Sequence, residues 1–510
     1  VLVAVLLAAD KLLGVVREAA VGRAFGASAV LDAYFAAFEV PEGLNTIVTG
    51  AALTTALIPL LTSMVTRADQ DDPALRDDVW RFVSVVVNWV LIVVGLAGVF
   101  AALLARPIIL TVAPGFAHDP AQVALAVRLM RLVLIQTLIF SASTVVTGTL
   151  QAHYHFFLPA LAPLCYTVGR IFGAVVLAPR FGIFGLAWGG LAGAVVHLAV
   201  KLPWLVRHRV RWMASLFHPD LLPLLRLMGP RMLGMGVTYV SFVLPTTFGS
   251  LLSSGSISAY EYAWKVMQLP ETVFGTAMGI VVFPTLASIA EQGDVAGLRR
   301  TFSWALRLIL ALSVPAAMGL LVLGQPLTAL LLQRGAFDAA ATGRVYWALQ
   351  FFALGLVTHS ALEVVARLFY AQRDMWTPLW AALGGLALNA AVGWALLPRL
   401  AHGAIALSNS LGVGLQVFVL LLIAQRRLGG IEGRMLGVSV MRTGLASVVM
   451  GAAVLGFRFL RPGVGLPLTV AGGLVVGVLA YLSMALLLGS EEIRELPRLL
   501  RKQSDAGGPV

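Results

Sequence analysis

Long apolar runs follow one another along this chain with only short polar interruptions, and that pattern leaves few folds open. About 20 residues of helix cross the hydrocarbon core of a bilayer, so runs of this length predict transmembrane helices. Fourteen spans are predicted, at about 1–24, 31–64, 80–105, 122–150, 156–178, 183–206, 221–252, 258–290, 301–323, 343–370, 377–397, 402–424, 438–460 and 466–488. Charged residues make up 12% of the chain, against about 25% in soluble proteins. The deficit runs its whole length, so the expected class is an all-α polytopic membrane protein. A transmembrane β-barrel is excluded, because its strands would be alternating segments of about ten residues. The polar segments are too short for a sizeable soluble domain, which argues against an ATPase, a kinase or a large periplasmic enzyme.

Lysine and arginine are unevenly shared between the connections. After even-numbered spans stand Arg67 and Arg76; Arg207, Arg209 and Arg211; Arg299 and Arg300; Arg373; Arg426, Arg427 and Arg434; then Arg494, Arg498, Arg501 and Lys502. After odd-numbered spans there are Arg106, Arg180, Arg334, Arg399 and Arg461. Cytoplasmic loops carry the excess of positive charge, so the even loops and both termini are expected in the cytoplasm. The net charge of +12 is then read as topology, and no nucleic-acid partner is expected. The single cysteine, Cys165, lies in an apolar run and is read as a packing residue. The chain opens on Val1 in an apolar stretch, with no cleavable signal peptide evident.

Two internal matches organise the spans. Residues 150–188 match 369–407 at a constant offset of 219, pairing Ala152 with Ala371, Pro159 with Pro378, Pro179-Arg180 with Pro398-Arg399, and Ala187 with Ala406. DAYFAAFEVPEG (from 32) sits beside EYAWKVMQLPET (from 261), each running from an acid to Pro-Glu. Spans 1–6 therefore resemble spans 7–12 with the same parity, and such parallel repeats share an axis along the membrane normal. The expected lobes are 1–206 and 207–424, pseudo-symmetric about a central cavity. Residues 425–490 form two appended helices, and 491–510 a cytoplasmic tail. This is a transporter's architecture.

The stretch Gly14–Pro59 carries Arg17, Glu18, Arg23, Asp32, Glu39 and Glu42 within membrane-grade sequence. Each charge at the bilayer centre costs roughly 2.5–3.5 kcal/mol on insertion scales, so these residues need water, partners or a polar ligand. Arg17 lies too deep to escape and is read as facing a cavity, or as paired with Glu18, Asp32 or Glu39. Arg23 sits near a span end, where it can snorkel. In the second repeat Lys265 stands amid Trp264, Val266 and Met267; it either pairs with Glu261 one turn before or meets a ligand. Arg170 and Glu363 are further intramembrane charges, with structural and site roles both open. Pro41 and Pro270 interrupt matching helices, with Gly43 and Gly275 following, and are read as a static bend or as a hinge beside a gate. Gly185, Gly189 and Gly193 form small-xxx-small patterns that predict tight helix packing. His153 and His155 share a short turn, no Cys/His spacing fits zinc and no Walker A motif is present, so neither metal nor cofactor is expected.

GVVREAAVGRAFGASAVLDAYFAAF resembles the opening of the MurJ (MviN) lipid II flippase family, within the MATE/polysaccharide-exporter (MOP) superfamily. The likeness continues in TVAPGF (111–116), LMGPRMLG (227–234), LLQRGAFD (331–338) and ARLFYAQRDMWTP (366–378). It implies a bacterial inner-membrane transporter, not an enzyme, that moves an undecaprenyl-pyrophosphate-linked peptidoglycan precursor to the periplasmic leaflet. Membrane lipids and cell-wall synthesis proteins are the implied partners, and a membrane potential or ion gradient the implied drive. The family's cavity cations fall on Lys11 and Arg17 in span 1 and on Lys265 in span 8, and its acid early in span 2 on Asp32. Spans 13 and 14 would line the groove for the polyprenyl tail. Where many relatives carry Arg-Arg after the span 2 proline, this chain has Asn45-Thr46, so one expected cavity arginine is Asn45. Some relatives bind sodium in the second lobe; here Asn389 stands there without an accompanying acid, and a sodium site is not supported. Alternatives are a flippase for another polyprenyl-linked oligosaccharide, a MATE-like small-molecule antiporter, and a non-transporting cell-wall scaffold.

Overall fold

The computed structural model describes residues 2–68, 73–208, 210–460 and 463–494. Arg209, Arg461 and the tail from 495, with Arg498, Arg501 and Lys502, lie outside the described residues. Among the described residues the chain is helical throughout, without a strand. It packs as two compact units, residues 1–258 with 334–338, and residues 259–333 with 339–510.

The first unit contains α1 (Leu2–Phe25), α2 (Ala29–Leu44), α3 (Ala51–Ala68), α4 (Pro73–Leu103), α5 (Ala105–Val112) and α6 (Pro120–Ala152). It continues with α7 (Phe157–Phe172), the one-turn α8 (Ala178–Phe181), α9 (Ile183–Ala199), α10 (Leu202–Arg207) and α11 (Leu221–Ser250). Its core joins Leu53, Leu57 and Leu61 of α3 to Phe82 and Val86 of α4, Val145 of α6, and Leu224 and Met228 of α11. The glycine patterns do what they predict. A Cβ on Gly189 of α9 would run into the backbone of Gly173, so these helices approach as closely as backbones allow.

The helix α12 (Ser256–Glu271) starts in the first unit and enters the second at Ala259. The second unit is then built from α13 (Ala277–Glu291), α14 (Val295–Leu332), α15 (Ala339–Ala371), α16 (Trp376–Leu400) and α17 (His402–Arg427). Its core runs from Leu286 of α13 through Phe302 and Ile309 of α14 and Leu368 and Phe369 of α15 to Leu420 of α17. The last two helices, α18 (Gly433–Leu460) and α19 (Leu466–Leu487), pair with each other and pack on α14. Their outer faces expose Met441, Phe459, Leu468 and Leu487, as helices that meet lipid on one side must.

Eleven described helical segments are long and apolar enough to cross a membrane, which makes this a multi-pass membrane protein. The stretches expected as spans 1, 2 and 7 fall outside that group. In α1 the residues Asp10, Lys11, Arg17, Glu18 and Arg23 interrupt every apolar window. Fourteen crossings are reached when these three stretches cross as well.

The repeat is written into the backbone. Helix α6 spans Pro120–Ala152 and α15 spans Ala339–Ala371, both ends displaced by 219 residues. The same offset carries the start of α9, Ile183, onto that of α17, His402. It also relates Tyr154 (φ 57°) to Arg373 (φ 60°), and Gly182 (φ 57°) to Ala401 (φ 49°). Left-handed backbone is uncommon at non-glycine residues, so its recurrence at matched turns reflects one chain path used twice. A second device recurs too. Helices α2 and α12 each have 16 residues with a proline inside, Pro41 or Pro270, and each runs into a five-residue π turn, Asn45–Thr49 or Thr272–Thr276. Proline removes one i−4 hydrogen bond, and a widened turn is one way for the helix to continue past it.

The turn between α15 and α16 is tied to the end of α17. Asp374 accepts from the amides of Trp376 (3.1 Å) and Thr377 (3.0 Å) and from the Thr377 hydroxyl (2.6 Å). Arg427 lies 2.7 Å from the same carboxylate and also donates to the Thr377 hydroxyl at 3.1 Å. Burial works against the charged form, but the Thr377 donors and the Arg427 guanidinium outweigh it and hold Asp374 at about 2, below the usual 3.8. A depressed carboxylate contributes stability in full above its unfolded value and loses it as pH falls through its folded one. The gap in unfolding midpoint between wild type and Asp374→Asn is therefore expected to be constant above about pH 5 and to close towards pH 2. A gap that does not change over that window would show that the charge is not what the turn uses.

Candidate functional site

In the first unit charges and aromatic rings from four helices meet. Arg17 on α1 grips its neighbour Glu18, with Nε at 3.0 Å and Nη2 at 2.8 Å from Oε1, both side chains partly buried. On α7 the guanidinium of Arg170 lies 5.9 Å from the ring centres of Tyr34 and Phe38, and 6.0 Å from that of Tyr166. Its Nη2 donates to the Tyr34 hydroxyl at 3.4 Å, and Tyr166 is fixed in turn by Gln136 of α6 at 3.1 Å. Tyr34 and Phe38 stand one turn apart on α2, and Tyr166 one turn before Arg170 on α7, so helical periodicity puts all three rings around the cation. Arg170 also feels the charges of Glu18 and Glu42. Its Nε is buried without a hydrogen-bond partner among the described residues, a donor held out of water and still available. The cluster thus offers guanidinium groups, the planar forks that suit phosphate oxygens.

The other expected residues fall in different surroundings. Lys11 is exposed on α1, beside Asp10, which accepts a hydrogen bond from Thr167 of α7 at 3.0 Å. Asp32, expected at a ligand, is 2% exposed and engaged by protein. Its carboxylate accepts from the amides of Gly255 (2.5 Å) and Ser258 (2.7 Å) and from the Ser258 hydroxyl. Those are the open amides of a beginning helix, which an anion satisfies well, so Asp32 is a cap supplied from far along the chain. Asn45 opens the π turn and accepts from the Thr49 hydroxyl at 2.8 Å. Glu39 is met from α11 by the hydroxyls of Thr246 and Tyr239. Gly43 is a contact point, since a Cβ there would lie 2.6 Å from the Tyr239 ring.

Over residues 21–472 the sequence matches the family described as lipid II flippase MurJ. The chain belongs to that family. A similar relative, the lipid II flippase MurJ of Burkholderia cenocepacia, is 29% identical over 426 residues, 82% of this chain and 81% of that one. A solved structure titled as lipid II flippase MurJ in an inward closed conformation matches with TM-score 0.80 at 22% identity, over 97% of this chain and 99% of that one. An inward-facing multidrug MATE transporter of the MOP superfamily matches with TM-score 0.67 at 17% identity, over 83% and 96%. These two likenesses are of fold. The MurJ match begins after Lys11 and Arg17 and takes in Asp32, Asn45, Arg170 and Lys265.

In the second unit, Lys265 lies 4.0 Å from Glu261 on the same face of α12 and 5.8 Å from the Tyr262 ring centre. Trp264 stands edge-on to His359, whose Nε2 is 3.0 Å from Asn409 Oδ1. Glu363 pairs with Arg367 at 2.6 Å, the structural alternative for that acid. Gly275 abuts α15, where a Cβ would lie 3.2 Å from Ser360 Cα. Asn389 meets the Ser408 hydroxyl at 2.8 Å. No group of three or more His, Cys, Asp or Glu is placed to hold a metal among the described residues. Sequence reasoning left Arg170 open between two roles. Its available signal was Tyr166 one turn before it; the α2 rings that complete the cage are remote in sequence.

Proposed function

We propose that this chain translocates lipid II from the cytoplasmic to the periplasmic leaflet of the bacterial inner membrane by alternating access. The observation that carries the reading is a pair of arginines, Arg17 and Arg170, held within apolar helices of a chain matched to the MurJ family over 21–472. A lipid-linked diphosphate needs fixed cations shielded from lipid, and these helices provide them. Lys11 and, in the second unit, Lys265 add positive charge of the same kind. Asn45 supplies none, so Arg170 is the residue that makes up for the arginine expected there. Pro41 and Pro270, each followed by a π turn, are the bends at which the helices flex as access alternates. The tail lies along α18 and α19, and movement is driven by the membrane potential or an ion gradient. Both termini face the cytoplasm. A MATE-like antiporter for cationic drugs fits less well, because the Arg170 guanidinium among its aromatic rings would repel a cation. In a strain depleted of its own flippase, the chain should restore periplasmic exposure of lipid II. Correct insertion without that exposure would leave the scaffold reading standing instead.

A further inference from the structure

Far along the chain from that cluster, the start of α14, the start of α18 and the segment after α19 enclose a cavity of about 360 Å³, lined by Arg307, Arg434, Arg442, Ser439, Glu491 and Glu492. Arg307 is only 8% exposed, and its Nη1 lies 3.5 Å from Glu492 and 3.6 Å from Glu491. Glu492 is itself buried and accepts from the Ser490 hydroxyl at 2.8 Å. Arg442 donates to the Gly489 carbonyl at 2.8 Å, which anchors the segment after α19. Two buried donors in this lining have no partner among the described residues: Nε of Arg307 and the hydroxyl of Ser439, a residue 5% exposed. Buried polar groups are nearly always bonded in native proteins, and such exceptions mark places where a ligand completes the set. Arg434 at the rim is exposed and belongs to no ion pair among the described residues.

We propose that this cavity binds the phosphate-bearing headgroup of an anionic phospholipid, with Glu491 as an internal competitor at its mouth. Three arginines against two carboxylates leave the lining positive. Guanidinium forks match phosphodiester oxygens, and basic pockets between transmembrane helices take acidic headgroups. The lipid is one of the membrane in which the chain sits, not the transported substrate. Glu492 stays bound to Ser490 and Arg307; Glu491, whose side chain is 64% exposed, is the carboxylate free to swing aside.

The test uses the purified full chain in detergent, with bound lipid counted by native mass spectrometry and stability followed by thermal unfolding. Phosphatidylglycerol, phosphatidylcholine and inorganic phosphate are added in parallel. Phosphatidylglycerol is expected to be retained and to stabilise the wild type, while phosphatidylcholine and inorganic phosphate have little effect. Arg434→Gln and Arg442→Gln should each weaken that retention about tenfold, the loss of one charge-assisted contact. Glu491→Gln, a change at an exposed position, should tighten it. Equal retention of the two lipids, or no response to Arg434→Gln and Glu491→Gln, overturns the proposal. Stabilisation by inorganic phosphate matching that by phosphatidylglycerol would assign the cavity to free phosphate and overturn the lipid reading. Because none of these readouts involves transport, their failure is distinct from a failure of the flippase reading.

Discussion

Asp32→Ala is expected to destabilise the protein by about 3 kcal/mol, through the loss of charge-assisted hydrogen bonds and the stranding of buried donors. The amides of Gly255 and Ser258 and the Ser258 hydroxyl all point at this one carboxylate. Asp32 is 2% exposed and Ser258 is fully buried, so water cannot easily take its place. Ser258→Ala removes one hydroxyl and leaves both amides bonded, and should cost well under half as much. Asp32→Asn keeps an acceptor and should fall between. Thermal unfolding of the purified protein in detergent, compared across the three variants, gives the ranking. If Asp32→Ala unfolded like the wild type but failed to transport, Asp32 would belong with the ligand after all.

Arg17→Ala is expected to lower lipid II translocation by roughly 10- to 100-fold, the worth of one or two charge-assisted contacts to a diphosphate. The substitution alone is ambiguous, because it also strands Glu18, the partner 2.8 Å away. A double-mutant cycle separates the two effects. If Arg17 serves only to neutralise Glu18, Arg17→Ala combined with Glu18→Gln should recover activity, whereas a residue that grips the substrate stays missed. Arg17→Lys keeps the charge and loses the fork, and should be intermediate. Full complementation by Arg17→Ala would remove it from the site.

The contrast between these two residues shows where reading along the chain stops. Both are ionisable groups in apolar surroundings, and hydropathy treats them alike. Asp32 finds its donors 223 and 226 positions later, and nothing in its neighbourhood marks Gly255 or Ser258 as partners. Arg17 finds Glu18 next door, a pairing visible in the letters. Arg170 lies between these cases: Tyr166 is local, but Tyr34 and Phe38 are about 130 residues away and join only when α2 packs near α7. The π turns were legible only in part: Pro41 and Pro270 mark a bend in each helix, but nothing in Asn45–Thr49 or Thr272–Thr276 says that the chain continues past it in a widened turn.

The all-helical membrane class, the parallel repeat and the family are properties of the sequence by itself. Each rests on patterns summed over many residues, apolar length for the class and a constant spacing for the repeat, and packing does not alter such sums. The repeat offset was legible to the residue, and the matched helix ends and left-handed turns follow it. Which charges serve as internal caps, which pair locally and which keep a donor in hand was decided by tertiary structure. A buried charge is stabilised by whichever groups lie within about 3 Å of it, and the fold chooses those groups from anywhere in the chain.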